Sequence, residues 1–413
     1  MVKKRIRFSC INFSIFLILI IQVNFFDIFP SNDFLMNLNS DTNKYLLLIV
    51  LLFFAIIKVF TAKHYTHPNQ YFQGSTIFFG CSVITIIILS TFSYNQSMQT
   101  SFLNGYYYLI FPLIYYIYGT HLIDKQNFLD FQKIVTSIGS IEAFIYIINS
   151  RFINFLNPVA AIDVSNAASG RSVMGFTRYQ SPADFVFFAS ILLSVTVLLK
   201  IRKINISFYI LQLIMLSYIF FVSQVRTYFL ISIAFLLVIL GAFLIKRFGY
   251  LIPIVGLIFI IIFLGILYLI IDKLGFFHGD RISSMLVRTE AIPYYLSQMF
   301  KNIIFGIGFP DVHSNYYLIH GFSNIYGASI FYIEDTGIFG IIGVFGIMAL
   351  IYLICFFKEI GKAMMMTKNK IQFGLVFIVL IGLFPTLIPL NATRIIFMGF
   401  YLIILDFICN YNM

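Results

Sequence analysis

Residues 205–245 read NISFYILQLIMLSYIFFVSQVRTYFLISIAFLLVILGAFLI, two apolar runs separated by a short polar step that contains Gln224 and Arg226. Each run approaches the roughly 20 apolar residues that a helix needs to cross the hydrocarbon core of a bilayer. The stretch therefore predicts two consecutive membrane-spanning helices, the second of which begins at Arg226.

The same pattern extends over the whole chain. Hydrophobic residues make up 60% of the sequence and charged residues only 10%, with a mean hydropathy of +0.95. A water-soluble core does not account for this composition. The sequence predicts an all-α polytopic protein that forms a single integral membrane domain over residues 1–413. Twelve apolar runs are the candidate spans: 8–29, 44–62, 75–93, 102–119, 130–150, 184–200, 205–223, 226–245, 249–271, 327–356, 371–389 and 394–411.

The first span and the cysteines carry little chemistry. The first span follows Lys3, Lys4, Arg5 and Arg7, and its apolar stretch is long and lacks a small-residue cleavage site, so we expect a signal anchor. All four cysteines lie in or beside apolar runs, where neither a disulfide framework nor a metal-ligand spacing is available. We predict no metal site.

The distribution of lysine and arginine gives the orientation. With both termini in the cytoplasm, twelve spans place most lysines in cytoplasmic loops, including Lys200, Lys203 and Lys368, as the positive-inside bias requires. The basic residues left on the exterior are mostly arginines, which this bias does not explain. A guanidinium group stays charged and binds phosphate through paired hydrogen bonds. The exterior arginines therefore indicate an anionic, pyrophosphate-bearing lipid-linked ligand.

The net charge of +11 does not indicate nucleic acid. The cytoplasmic basic residues are spread over many short loops, and no basic aromatic platform is present in the sequence. We predict no nucleic-acid partner.

Two long polar stretches, 151–183 and 272–326, are predicted extracytoplasmic loops. The first contains Arg171 and Arg178 close to the next span, among Asn, Ser, Gly and Pro residues that break regular structure. These two arginines are candidate substrate-binding residues. The alternative is that each arginine simply extends towards the lipid headgroups.

The second stretch predicts an external helix over 281–301. Arg281 and Arg288 lie seven residues apart, nearly two helical turns, so they share a face as candidate phosphate ligands. Pro293 is expected to kink or end this helix. Gly306 and Gly308 then permit either a tight turn or a close approach of the backbone to a ligand.

Polar residues around the start of the tenth span are candidate catalytic or binding groups. Asp311 and His313 lie in an aromatic loop, and Glu334 and Asp335 are adjacent carboxylates at the predicted membrane boundary. Such carboxylates need a cation, water or a substrate beside them. The alternative to a catalytic role is ion pairing with Arg288 or Arg394. Glycines 337, 340, 343 and 346 form a stripe that lets another helix approach closely.

Arg226 has a second reason to meet an anion. It stands at the predicted outer start of a membrane helix, where the positive end of the helix dipole also favours negative charge. The alternative is that its side chain simply extends towards the lipid headgroups.

The chain resembles the O-antigen polymerase (Wzy-like) and O-antigen ligase superfamily of bacterial membrane enzymes. Four features carry the resemblance over nearly the whole chain: many spans with two large external loops, RSVMGFTRYQSPADF at 171–185, SQVRTYF at 222–228, and RTEAIPYYLSQMFKNIIFGIGF at 288–309 followed by YIEDTGIFG at 332–340. The order of these motifs is more specific than any one of them. The family's frequent His-Asn pair before the tenth span is absent.

The resemblance implies a GT-C-like arrangement of spans and a metal-independent glycosyl transfer at the outer face of the bacterial cytoplasmic membrane. A polyprenyl-diphosphate-linked oligosaccharide is the donor, and a hydroxyl of the next lipid-linked repeat attacks it. Arginines at the diphosphate and a carboxylate or His as base would serve this reaction. The catalytic candidates are Arg226, Arg288, Glu334, Asp335 and His313, and the substrate-binding candidates are Arg171, Arg178, Arg281, Gly306, Gly308 and Asp311.

The expected partners are the lipid-linked oligosaccharide, membrane lipids, a flippase and a chain-length regulator. No cofactor is expected, since the chain has no Gly-rich phosphate loop, Rossmann fingerprint or Asp-x-Asp metal motif for a nucleotide-sugar donor. A ligase-like glycosyltransferase and a flippase or transporter are the alternatives. A transporter predicts charges inside the helix bundle and repeated halves, whereas the sequence shows no internal repeat and its charges crowd the outer loops.

Reporter fusions test the predicted orientation. We expect fusions after Lys203 and Lys368 to report cytoplasm, and fusions near Ser169 and Ser314 to report the exterior, because lysines mark the cytoplasmic side. A cytoplasmic signal near Ser169 would contradict the assignment of the 151–183 loop and of its arginines.

Overall fold

A computed structural model describes residues 10–28, 33–40, 43–61, 70–152, 156, 175–179, 182–201, 205–248, 265, 280–323, 330–367, 370–383 and 392–411. The structure is about 80% helical and has no strands within these residues, in agreement with the all-α prediction. Two isolated bridges, Asn39 with Lys44 and Phe322 with Ile330, are the extended pairings that it contains there.

Sixteen α-helices are named in chain order for the described residues. They are α1 (Cys10–Gln22), α2 (Asp33–Leu38), α3 (Tyr45–Thr61), α4 (Gln73–Ser93), α5 (Met98–Gly105), α6 (Ile110–Leu122), α7 (Lys125–Arg151), α8 (Ala183–Leu198), α9 (Ile206–Ser217), α10 (Arg226–Phe248), α11 (Asp280–Lys301), α12 (Tyr316–His320), α13 (Ile338–Phe345), α14 (Ile347–Met366), α15 (Lys370–Leu383) and α16 (Ile395–Asn410).

The chain divides into two compact units. Unit 1 comprises Met1–Thr85, Gly105–Ser232 and Ile351–Met413, and unit 2 comprises Ile86–Asn104 and Ile233–Leu350.

Three helical segments of the described residues are long and apolar enough to cross a membrane. They are Gln73–Ser93, Lys125–Arg151 and Ile206–Ser223, and several shorter apolar helices accompany them. In the third segment the large side chains of Ile206, Tyr209, Ile210 and Leu213 are all exposed. Their spacing puts them on one helix face, which is the pattern expected of a lipid-facing surface.

Two helices form the interior of unit 1. Residues 395–409 of α16 are buried on every face, and nearly all of α8 is buried as well. Phe407 of α16 stacks on Phe128 of α7, with ring centroids 3.8 Å apart. Gly139 of α7 brings that helix close to α8, since an added Cβ would lie 2.7 Å from the Cβ of Ala189. These helices are apolar all round because neighbouring helices surround them.

Carboxylates from distant parts of unit 1 cap the start of α4. The backbone N–H of Ser75 donates to Glu359 Oε1 (3.0 Å), and that of Tyr71 donates to Asp406 Oδ1 (2.9 Å). The Tyr115 hydroxyl also donates to Asp406 (2.5 Å). The first N–H groups of a helix have no partner within the helix, and burial makes an unpaired N–H costly. These two carboxylates therefore satisfy donors that the surrounding apolar helices cannot.

Unit 2 is built on α11 and the turns that follow it. Ala291 and Tyr295 of α11 form a small buried core with Ile307 and Phe331. Backbone groups of the segment after α11 bond to side chains of the α4–α5 region: the Phe309 N–H donates to Ser90 Oγ (2.9 Å), Gln96 Nε2 donates to the Phe309 carbonyl (2.8 Å) and Asn104 Nδ2 donates to the Pro310 carbonyl (2.8 Å). These bonds hold an irregular segment in one conformation.

Several predicted boundaries are corrected. The predicted span 102–119 is α5, a 3₁₀ turn at Tyr106–Leu109 and α6 rather than one helix. The predicted span 327–356 contains no α-helix before Ile338 in its described residues, and it breaks at Gly346 into α13 and α14, because Gly346 has a φ of 57°. The helix predicted over 281–301 is confirmed as Asp280–Lys301, and it continues past Pro293. The predicted span 249–271 lies almost entirely outside the described residues.

The break at Gly346 gives a stability prediction. A Cβ on Gly346 would lie 2.6 Å from the Ile303 carbonyl oxygen and 2.7 Å from the Gly306 nitrogen. The positive φ at this position adds backbone strain for any residue with a Cβ. We therefore expect Gly346→Ala to lower the free energy of unfolding by about 2 kcal/mol or more. Thermal unfolding in detergent, followed by size-exclusion chromatography, measures the change.

Gly361→Ala in α14 is the matched control, because a Cβ there meets nothing within 4 Å. Alanine at a helical glycine should stabilise the protein by up to about 1 kcal/mol. Equal melting temperatures for the two variants would contradict the close backbone approach at Gly346.

Candidate functional site

The described part of the 151–183 loop is fixed against the chain that precedes α10. The N–H of Tyr179 donates to the Val222 carbonyl (3.2 Å), and Asn149 Nδ2 donates to the Tyr179 hydroxyl (2.7 Å). Arg178 Nε donates to the Ser223 carbonyl (3.3 Å). Arg178 therefore lies beside the residues that lead into Arg226.

Three helices of unit 1 meet at Asp184. Asp184 stands in the first turn of α8, and Arg394 immediately precedes α16. Arg394 Nε lies 3.2 Å from Asp184 Oδ1 and 3.0 Å from Oδ2. The hydroxyl of Tyr228, in the first turn of α10, donates to Asp184 Oδ1. We call Asp184, Tyr228 and Arg394 the helix-start cluster.

The helix-start cluster is mostly shielded from solvent. The side chains of Arg394 and Asp184 are 24% and 16% exposed. The ring of Tyr228 is buried and stacks on Phe187 with centroids 4.3 Å apart. At this degree of burial the carboxylate and guanidinium need each other, because either one alone would lose hydration without compensation.

The electrostatics around the helix-start cluster favour an anion. Three helix N-termini meet there, and each carries a partial positive charge of about half a unit. Arg394 and Asp184 balance each other, while Arg178 and Arg226 add cationic residues to the segments that lead into α8 and α10. Helix N-termini that lie together in this way suit an anion, because their free N–H groups and dipoles favour negative charge.

The side chains of three of the predicted arginines lie outside the described part of the structure. Arg226 begins α10 and Arg281 lies in the first turn of α11, and the structure describes their backbone alone. Arg171 lies outside the described residues.

In unit 2, Arg288 pairs with one of the two adjacent carboxylates. Arg288 Nη2 lies 3.0 Å from Asp335 Oδ1, and the two side chains are 53% and 40% exposed. Glu334 and Asp335 lie in a 3₁₀ turn, Ile333–Asp335, just before α13, and both are exposed. The sequence offered ion pairing with Arg288 or Arg394 as the alternative to a catalytic role for these carboxylates. Asp335 forms this ion pair with Arg288, and Arg394 pairs with Asp184. An exposed pair of this kind contributes little to stability.

The two glycines of FGIGF serve the approach of one backbone segment to another. Gly306 and Gly308 have φ values of 58° and 64°. The N–H of Ile307 donates to the Gly343 carbonyl (2.8 Å), and that of Gly308 donates to the Val344 carbonyl (2.9 Å). A Cβ on Gly306 would lie 2.1 Å from the Gly343 carbonyl oxygen. Gly306 and Gly308 therefore lie in a tight turn, which is one of the two roles predicted for them.

Asp311 organises its own turn. The Ser314 hydroxyl and backbone N–H both donate to Asp311 Oδ2, the latter at 2.9 Å. These bonds lower the pKa of Asp311, because they stabilise its ionised form. A carboxylate stabilised in this way is a weak proton acceptor. His313 lies in the same turn and is exposed.

His320 is better positioned than His313 to present a defined nitrogen. Its Nδ1 lies 3.1 Å from the Phe331 carbonyl oxygen, which can only accept a hydrogen bond. The bond assigns the proton of the neutral ring to Nδ1 and makes Nε2 the acceptor. His320 packs beside Tyr316, with ring centroids 4.6 Å apart.

The described residues contain no group of three or more His, Cys, Asp or Glu side chains placed to hold a metal ion. No known protein-family model matches the chain, and no curated protein matches it either.

The sequence did not indicate a site role for Asp184, Tyr228 or Arg394. Asp184 belongs to the SPADF motif and Tyr228 to SQVRTYF, so both stand inside stretches that the family resemblance had already marked. Their contact could not be inferred, because Arg394 and Asp184 are 210 positions apart.

The helix-start cluster gives a stability prediction. Asp184→Ala should lower the free energy of unfolding by about 2 kcal/mol, because Arg394 loses its carboxylate in a mostly shielded place. Asp130→Ala is the matched control, since Asp130 pairs at 2.9 Å with Lys133, a side chain that is 61% exposed. The control should change stability by less than about 0.5 kcal/mol. Similar melting temperatures for the two variants would show that the cluster does not hold the helices together.

Proposed function

We propose that this protein polymerises polyprenyl-diphosphate-linked oligosaccharide repeat units into a surface polysaccharide at the outer face of the bacterial cytoplasmic membrane. The observation that carries the proposal is the meeting of the α8, α10 and α16 N-termini, with Arg178, Arg226 and Arg394, in unit 1. An electropositive region between apolar helices suits a ligand that has a diphosphate and a lipid chain. The resemblance to O-antigen polymerases and ligases supplies the reaction.

In the proposed reaction, a hydroxyl oxygen of the acceptor repeat attacks the anomeric carbon of the donor glycan. The bond between that carbon and the diphosphate oxygen breaks, and polyprenyl diphosphate leaves with the electron pair. Negative charge therefore grows on the diphosphate in the transition state. Arginines and helix N-termini beside it would stabilise that charge more than they stabilise the ground state.

Arg178 and Arg226 are the proposed diphosphate ligands. Arg394 is a proposed positioning residue, because its guanidinium binds Asp184 and thereby holds the starts of α8, α10 and α16 together. Arg171 belongs to the RSVMGFTRYQSPADF motif of the same resemblance and is proposed as a further diphosphate ligand.

The acceptor hydroxyl must lose its proton. Glu334 and Asp335 are the proposed bases for this proton, and His313 is the alternative. Arg288 Nη2 donates to one carboxylate oxygen of Asp335 and so orients that carboxylate. The energy comes from the bond between the donor sugar and the diphosphate, which breaks in the transfer, and the proposed reaction therefore has no need of a nucleotide, a metal or another cofactor.

A deletion strain tests the reaction. Cells without this protein should accumulate single lipid-linked repeats on the outer side of the membrane and make no polymer. Repeats trapped on the cytoplasmic side would indicate a flippase. Finished polymer that stays on its lipid carrier would indicate a ligase, and normal polymer would overturn the proposal.

Charge-preserving substitutions test the role of the arginines. We expect Arg226→Lys and Arg178→Lys, expressed in the deletion strain, to lose most polymer, by about tenfold or more, because lysine cannot form the paired hydrogen bonds of a guanidinium. Polymer length and yield on gels, at matched protein abundance, give the result.

Arg151→Lys is the matched control, since Arg151 donates to the Gly175 carbonyl (3.1 Å), lies over the Phe176 ring and is not one of the proposed diphosphate ligands. It should keep most of its polymer. Full polymer production by the Arg226 and Arg178 variants would refute a phosphate-binding role.

A further inference from the structure

Unit 2 carries a row of aromatic side chains that its small core does not bury. We call Tyr316, Tyr317, His320, Phe322 and Tyr332 the aromatic strip. Neighbouring ring centroids along it are 4.6 to 6.1 Å apart. Tyr317 is 71% exposed and Tyr332 is 49% exposed.

The short helix α12 creates the strip by sorting its five residues. In YYLIH, Leu318 and Ile319 pack against the core of unit 2, and the Tyr295 hydroxyl donates to the Ile319 carbonyl (3.1 Å). Tyr316, Tyr317 and His320 are left on the other side. Gly321, with a φ of 57°, then turns the chain closely over the ring of Tyr294. The exposure of the strip is thus set by backbone geometry and not by a loose loop.

Polar groups stand at one end of the strip. Tyr332 immediately precedes the turn that contains Glu334 and Asp335, and the Asp335 N–H donates to the Tyr332 carbonyl (3.0 Å). His320, in the middle of the strip, has its Nδ1–H bound to the Phe331 carbonyl, so Nε2 is available as an acceptor. Hydrogen-bond acceptors therefore accompany exposed ring faces.

This combination matches the chemistry of a sugar. A pyranose ring has a face of C–H groups, which carry partial positive charge and pack on the negative face of an aromatic ring. Its hydroxyl groups donate to carboxylates and to imidazole nitrogen. Acyl chains would gain from the rings but would leave the adjacent carboxylates and Arg288 without hydration.

We propose that the aromatic strip is a glycan-binding subsite that holds the sugar rings of a lipid-linked repeat. This inference rests on the proposed function and deepens it: the sugars are recognised by stacking on Tyr316, Tyr317 and Tyr332.

The absence of tryptophan from the sequence allows a specific test. Tyr317→Trp gives a protein with one tryptophan, which keeps a stacking ring and reports on its surroundings. The probe is the free oligosaccharide released by mild acid from the lipid-linked repeats of the deletion strain. Because it lacks the diphosphate and the lipid, it reports on sugar binding alone.

We expect a saturable fluorescence change when the Tyr317→Trp protein in lipid nanodiscs is titrated with this oligosaccharide. Tyr209→Trp is the control, because Tyr209 is exposed to a similar degree, 59%, on the apolar face of α9. Its fluorescence should not respond. No response from Tyr317→Trp, or an equal response from both proteins, would overturn the subsite.

Second substitutions separate stacking from hydrogen bonding. In the Tyr317→Trp protein, Tyr316→Ala should weaken oligosaccharide binding by several-fold to about tenfold, whereas Tyr316→Phe should leave it nearly unchanged, because the ring face is kept. Unchanged binding by the alanine variant would contradict stacking at Tyr316.

Lipids with brominated acyl chains test the alternative occupant. Bromine quenches a tryptophan that contacts the acyl region, so the Tyr209→Trp protein should be quenched and the Tyr317→Trp protein should not. Equal quenching would show that the strip is a membrane contact and would overturn the proposal.

The subsite and the proposed function fail in different ways. If the deletion strain accumulates single repeats but the Tyr317→Trp protein does not respond to them, only the subsite is wrong. If the deletion strain makes normal polymer, the proposed function is wrong and the subsite fails with it.

Discussion

The carboxylate of Asp184 is the point on which the arrangement of unit 1 depends. It accepts from Arg394 before α16 and from Tyr228 in α10, while standing itself in the first turn of α8. Each of these helices is largely apolar, so dispersion and shape alone would leave their sliding and rotation weakly specified. Because Asp184 bonds to both other helices near their first residues, it holds the N-terminal ends of α8, α10 and α16 next to one another. The same contact brings the positive dipole ends of the three helices together, because helices that begin together also bring those ends together.

Elsewhere the structure follows from the need to satisfy buried backbone groups. Glu359 and Asp406 accept from N–H groups at the start of α4, and Ser90, Gln96 and Asn104 bond to the irregular backbone of residues 309–310. The break between α13 and α14 obeys the same rule, since the carbonyl oxygens of Gly343 and Val344 accept from Ile307 and Gly308. In these places the polar side chains bond to main-chain groups.

The two units carry different recognition chemistry. Unit 1 offers cations and helix N-termini, which suit a diphosphate. Unit 2 offers exposed aromatic rings beside carboxylates, which suit the uncharged faces and hydroxyls of sugars. A lipid-linked oligosaccharide, the proposed substrate, contains both kinds of group.

Much of this organisation could be predicted from the sequence. Apolar runs and their lengths predict helices because every backbone group in a bilayer must be satisfied within its own segment, and the helix predicted over 281–301 is present as Asp280–Lys301. Arginines beside span ends indicate an anion through charge alone. The helix prediction succeeds because its signals come from residues close together in the chain.

Only the tertiary structure decided which residues meet. The partner of Arg394 is Asp184 and not the Glu334–Asp335 pair, and Asp335 binds Arg288 across 47 positions. Pro293 does not end α11, and the glycines at 306, 343 and 346 serve contacts between segments. The exposed rings of α12 result from the packing of Leu318 and Ile319 on α11. Such pairings depend on distances between segments that composition and periodicity do not contain, because they arise only when the helices pack together.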